Sequence, residues 1–345
     1  WLQVGRDAAL PALRARLTTS QLVAGDRSYP EVSVALDASR AGGQLQLQSA
    51  DVSGTARWPA VVSGAHPAVL QFDRLNVAQL SDAALGAGVL AALGAVAQLS
   101  IDDLQWQGHS LGRFGATLAA GVDALEVSEL HLAGDNEDTR GTLQCREGAC
   151  RLQFSLDSRN AAATLSAFGF RPDLGASHAR LEGELQWPQQ APASLATLDG
   201  RLHMQLEQGV TRAAGADSAG VPFALLAVPA LTAGMSPGLN FSRLTADFVL
   251  HDGQAMTSDL HFDGDAEILV RGRTGLLAHD YDEQAWILRG EERLPAAVRR
   301  FGPTPRVAAV WLSLRELFTG SAADRSRAAL RLRGSWDDPI VTPAE

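Results

Sequence analysis

TADFVLHDGQAMTSDLHFDGDAEILVRG, residues 245–272, decides the fold. Phe248 and Leu250, then Leu260 and Phe262, then Ile268 and Val270 alternate with polar neighbours, and Asp252-Gly253 and Asp263-Gly264 interrupt the alternation. Period-two runs mark strands with one apolar face, and Asp-Gly pairs mark tight turns. Strands this close together predict an antiparallel meander, because a parallel βαβ unit needs a longer crossover.

The same period recurs outward from this stretch. QLQLQ at 44–48 sets Leu45 and Leu47 on one face. RLQFSL at 151–156 does so with Leu152, Phe154 and Leu156, and RLHMQL at 201–206 with Leu202, Met204 and Leu206. GELQWPQ at 183–189 places Leu185 with Leu181 and Trp187, then stops at Pro188, which has no N–H to give a ladder. GTARWPA at 54–60 ends the same way, and GSWDDP at 334–339 is a looser version. These endings lie more than a hundred residues apart, too far for a solenoid repeat of about 20–50 residues. The spacing suits modules of several strands plus a helix, expected at 1–63, 64–190 and 191–345.

Helices are few. SRNAAATLSAFGF at 158–170 predicts one capped by Ser158 or Asn160 and stopped at Gly169. PRVAAVWLSLRELF at 305–318 predicts another, with Val307, Val310, Trp311, Leu314 and Phe318 on one face. The uncharged run 83–99 reads as a buried or groove-covering helix, being shorter than the roughly 20 residues of a membrane span. AGVPFALLAVPAL at 219–231 carries Pro222 and Pro229 and reads as an irregular covering segment. So few helices leave apolar sheet faces to be buried by folding into a sandwich, closing a barrel, or curling into a trough.

A net charge of −10 argues against a nucleic-acid partner, since phosphate contacts need a basic surface. Every basic residue other than histidine is arginine, and ten of them against four acids make 289–333 basic at +6. Such a stretch suits anionic lipid headgroups or a solvated helical tail. The chain opens on Trp1 and reads as a segment of something longer. Cys145 and Cys150 flank a four-residue turn, a spacing that permits a disulfide. An oxidising compartment would form it, whereas cytosol would leave two thiols.

Catalytic chemistry finds little support. GHSLG at 108–112 matches G-x-S-x-G, but a nucleophile elbow needs a helix after Ser110, and three glycines follow within eleven residues. The stretch reads better as a turn. DYDEQ at 280–284 gathers three carboxylates, with Asp280 and Asp282 together on a solvated face. The eight histidines are scattered, with His203, His251 and His261 single on their strands, so neither a metal site nor a cofactor site is expected.

HDYDEQAWI (279–287) and RAALRLRGSWDDPIVTP (327–343) resemble the C-terminal end of the YhdP group of AsmA-like proteins. So do RLEGELQWP (180–188), LATLDGRLHMQLEQG (195–209), LNFSRLTADF and its continuation to 277, and upstream LQFDRLNVAQL (70–80), LSIDDLQWQGHSLGRFGATL (99–118) and ATLSAFGF (163–170). The resemblance implies the periplasmic part of an inner-membrane-anchored protein of Gram-negative bacteria, built from β-modules stacked into a trough. It also implies movement of phospholipid between the two membranes, with this chain at the outer-membrane end, and modules closed by Trp-Pro.

The expected fold is therefore mainly β: an elongated, twisted antiparallel sheet curled into an apolar groove, with a few short covering helices. Its expected lining is Leu152, Phe154, Leu156, Leu181, Leu185, Leu202, Met204, Leu206, Phe248, Leu250, Leu260, Phe262, Ile268 and Val270. The helix 305–318 would plug the groove's end or touch the inner leaflet of the outer membrane. Phospholipid and the upstream modules of the same chain are the expected partners. The competing readings are a lipid-free scaffold or envelope assembly factor and, third, a serine hydrolase at Ser110.

Overall fold

A computed structural model describes residues 12–344 apart from 25–26, 78–95, 107, 122–123, 169–173, 192, 212–238, 290–327 and 337. The chain divides into two compact units, residues 1–147 and 148–345. Both are built from twisted, mostly antiparallel strands.

The first unit holds β1 (Leu13–Ala24), β2 (Arg27–Ser39), β3 (Gly42–Gln48), β4 (Val52–Pro59), β5 (Ala68–Asn76), β6 (Val96–Trp106), β7 (His109–Ala120), β8 (Leu125–Ala133) and β9 (Glu137–Arg146). Each strand pairs antiparallel with the next, except that β5 and β6 are parallel. This departs from a pure meander, since a parallel neighbour requires the intervening chain to return to the same end of the sheet. The helix expected at 83–99 is corrected at its end. Val96–Leu99 belongs to β6, where Ala97, Leu99 and Ile101 alternate with Gln98 and Ser100. The rest of that run lies outside the described residues.

The second unit holds β10 (Ala149–Ser158), the short helix α1 (Ala161–Ala167), β11 (Leu174–Pro188), β12 (Asp199–Thr211), β13 (Leu239–His251), β14 (Gln254–Gly264), β15 (Glu267–Gly275), β16 (Asp280–Arg289), β17 (Ala328–Ser335) and β18 (Pro339–Pro343). Every consecutive strand pair is antiparallel. Asn160 caps α1 by accepting from the Ala163 N–H at 3.1 Å. The helix packs on β11, with Leu165 against the core. The expected helix at 305–318, with Val307, Val310, Trp311, Leu314 and Phe318, and the segment 219–231 lie outside the described residues.

Turn chemistry follows the sequence. Asp252 and Gly253 both take positive φ, 49° and 68°, as a two-residue turn between antiparallel strands demands. Pro59 and Pro188 are the last residues of β4 and β11. The ladder nevertheless continues from each into the following strand, so Trp-Pro ends a strand and not a sheet.

Aromatic rings repeatedly lie opposite glycine: Trp58 on Gly43, Phe72 on Gly54, Phe154 on Gly183 and Phe241 on Gly209. A Cβ on any of these glycines would run into the ring. The missing side chain gives the ring a flat seat on the sheet and keeps the apolar face continuous.

Candidate functional site

The register carries apolar side chains across each unit on one face. In the first unit one row runs Leu17, Val34, Leu47, Gly54, Phe72, Ile101, Phe114 and Leu132 over β1 to β8. Leu17 is 50% exposed and its strand neighbour Leu13 is 53% exposed. The expected lining omits this row, although QLQLQ already announced it.

In the second unit the expected lining residues share one face. Leu152 opposes Leu185, and Leu156 opposes Leu181, which opposes Met204. Phe154 lies over Gly183, Gly183 faces Leu202, and Leu202 faces Phe248. Leu206 meets Leu244, then Phe262 and Ile268, while Leu260 faces Val270 and Leu250 faces Ala255. Burial divides this face in two. On β10 to β12 the side chains of Leu152, Phe154, Leu156, Leu181, Leu185, Leu202 and Met204 are half-buried, and of the expected residues there only Leu206 is buried. On β13 to β15 Phe248, Leu250, Leu260, Phe262, Ile268 and Val270 are all buried, with Leu260, Phe262 and Val270 at 0% exposure.

The other face is charged and paired, across strands and along them. His203 Nδ1 lies 2.7 Å from Asp247 and His251 Nδ1 2.7 Å from Asp199, both between β12 and β13, while Arg180 meets Glu182 at 2.7 Å along β11. The Asp199 hydrogen bond and the charge of Asp252 hold the His251 imidazole above its ordinary pKa. His261 pairs with Glu267 at 3.3 Å. Among the described residues no cluster of His, Cys, Asp or Glu is arranged to hold a metal ion.

DYDEQ resolves into two environments. Arg273 donates to both Asp280 oxygens at 3.0 Å, and Arg331 and Arg333 converge on Asp282 at 3.1 and 3.3 Å. Glu283 points the other way and is 1% exposed. The sequence reading saw no buried carboxylate here, yet alternation signals it: Tyr281, Glu283, Ala285 and Ile287 share the buried face.

Ser110 is the second residue of β7, at the β6–β7 hairpin where Gly108 takes φ 83°. Its hydroxyl donates to Asp103 at 2.7 Å, and a strand follows it where an elbow requires a helix. Both cysteines are buried and disulfide-bonded.

No helix among the described residues is long and apolar enough to cross a membrane. The family described as YhdP protein matches residues 2–341. Neither a curated protein nor a solved structure matches the chain.

Proposed function

The chain belongs to the YhdP family, and on that premise we propose that its apolar sheet faces bind phospholipid acyl chains and conduct lipid between the inner and outer membranes of a Gram-negative envelope. Membership fits an envelope role. The observation that carries the finer reading is the half-buried apolar row of β10 to β12, backed by a charged outer face. Such a face offers equivalent Leu, Phe and Met positions and needs no reactive group.

Energetics favour a uniform face over a single deep pocket. Burying a CH₂ yields about 0.8 kcal/mol, so a chain of roughly 16 carbons gains on the order of 13 kcal/mol. A lipid held that firmly at one point would scarcely leave. Neighbouring positions of similar energy let it slide without a large climb.

The fully buried β13–β15 stretch favours a second reading, a lipid-free scaffold with a dry core. Solvent extraction of the purified chain decides between them. The first reading expects co-purifying phospholipid, reduced about tenfold in Leu202→Asp and Phe154→Asp, because a charge left against an acyl chain has no partner. Both positions are half-buried, so the variants report on binding, whereas a charge at buried Leu206 would report on folding. A stable, lipid-free wild-type chain would establish the scaffold instead.

A further inference from the structure

The outer face of the second unit carries a cleft of about 850 Å³, bounded by β11, β12, β13 and β14 beside the start of α1. That volume lies within the roughly 300–1,000 Å³ of small-ligand sites. Arg159 and Asn160 stand on the α1 side, and Gly175, Val210, Asn240 and Asp265 form a row across the strands. Gly175 pairs with Val210 and Val210 with Asn240, while the Asp265 N–H donates to the Asn240 carbonyl at 2.8 Å. These residues alternate with buried Leu174, Thr211, Leu239 and Phe241, so the cleft opens away from the apolar face.

Irregular backbone brings further polar side chains to it. The β11–β12 ladder pairs Ala176 with Gly209 and His178 with Glu207, and between those pairs Gln208 takes φ 49°. On β13, Ser242 is the extra residue between the Phe241–Gly264 and Arg243–Asp263 pairs. Such bulges re-aim side chains and recur beside binding sites. Ser177, Gln208, Ser242 and Asp263 all line the cleft. The Ser177 hydroxyl lies 3.4 Å from Gln208 Oε1, the Ser242 hydroxyl 3.2 Å from Asp263 Oδ2, and Asn240 Nδ2 2.8 Å from Asp265 Oδ2. Among the described residues these contacts leave the Gln208 Nε2 donors and the Asn240 and Asp263 Oδ1 acceptors unspent.

We propose that this cleft binds a neutral saccharide through a pair of vicinal hydroxyls. A hydroxyl both donates and accepts, so two adjacent ones match an amide donor set beside amide and carboxylate oxygens. Asp263 and Asp265 against the single guanidinium of Arg159 disfavour an acidic sugar or a phosphate. The polar side chains are exposed, which suits a ligand that keeps part of its water. The site lies on the opposite face from the acyl-chain surface and does not depend on it.

Gly175 allows the cleft to be blocked. A Cβ there would meet only Val210, at 3.9 Å, and the backbone is outside the left-handed region, so Gly175→Leu extends into the cleft without straining the strand. Calorimetric titration of the full chain with maltotetraose, its per-O-methyl derivative and tetragalacturonate tests the proposal. Maltotetraose is expected to bind and the other two are not. Asp263→Ala removes one charge-assisted hydrogen bond and is expected to weaken binding about 10–100-fold, while Gly175→Leu abolishes it, each with an unchanged urea midpoint. No binding of maltotetraose, equal binding of its methylated derivative, or binding indifferent to both substitutions overturns the site. Capture of phosphatidylglycerol vesicles in place of maltotetraose, lost in Asp263→Ala, would assign the diol to a lipid headgroup and overturn the saccharide. Should Gly175→Leu fail to fold, the wild-type comparison and the exposed Asp263 position still decide.

Discussion

Phe262→Ala is expected to destabilise the second unit by about 3–5 kcal/mol, read as a shift of the urea midpoint. Phe262 is 0% exposed, faces Leu244 and Ile268 on its two neighbouring strands, and meets the Phe241 ring at 5.5 Å and 59°. Removing the ring loses its transfer energy and opens a cavity that flanking strands, fixed by their ladders, cannot close. Against a typical domain stability of about 5–15 kcal/mol, that leaves the unit near its threshold. Leu202→Ala, on the same face but half-buried, is expected to cost a fraction as much. Equal losses at the two positions would mean that β12 is packed as tightly as β14, and the distinction between open face and core would fall.

Replacing Glu283 by Gln is expected to stabilise the protein by about 3 kcal/mol at pH 8.5 and to change little at pH 4. The carboxyl ionises near 4.5 when solvated, and burial holds the proton on until about pH 7 in the folded chain. Below 4.5 both states are protonated and ionisation of the group contributes nothing to the balance. Between the two values the unfolded chain gives up the proton first, so stability falls as pH rises, and above 7 the loss is complete. Asp138 and Asp282 act oppositely, held low chiefly by hydrogen bonds from His131 and Arg331. Their contribution is lost as pH falls, so the informative quantity is the difference between Gln and wild type at each pH. A difference independent of pH would show that Glu283 is solvated.

The strands were legible because each carries its own alternation, and 245–272 contains both the alternation and the turns. The Asn160 cap and the Trp-Pro strand ends were legible for the same local reason. The parallel β5–β6 pairing was not, since local alternation says which face a side chain takes and nothing about which strand lies alongside. Nor did it reveal the burial gradient. RLHMQL on β12 and DFVL on β13 have the same period, yet Met204 is half-buried and Phe248 is 3% exposed. Period reports the face, not what lies over it. Glu283 escaped because a carboxylate among carboxylates reads as solvated, although the alternation of DYDEQ had already turned it inward. Glu129 and Gln208 take positive φ, 54° and 49°, within their strands, and neither residue type announces it.

Face-specific photocrosslinking tests the central claim most directly. A benzophenone side chain placed at Phe154 or Leu202 lies on the half-buried apolar face, and one at His203 or Val249 lies on the outer face of the same strands or their neighbour. Illumination of the chain in cells, followed by mass analysis, is expected to join phospholipid to positions 154 and 202 and not to 203 or 249. Lipid captured equally from both faces, or from neither, would contradict the account.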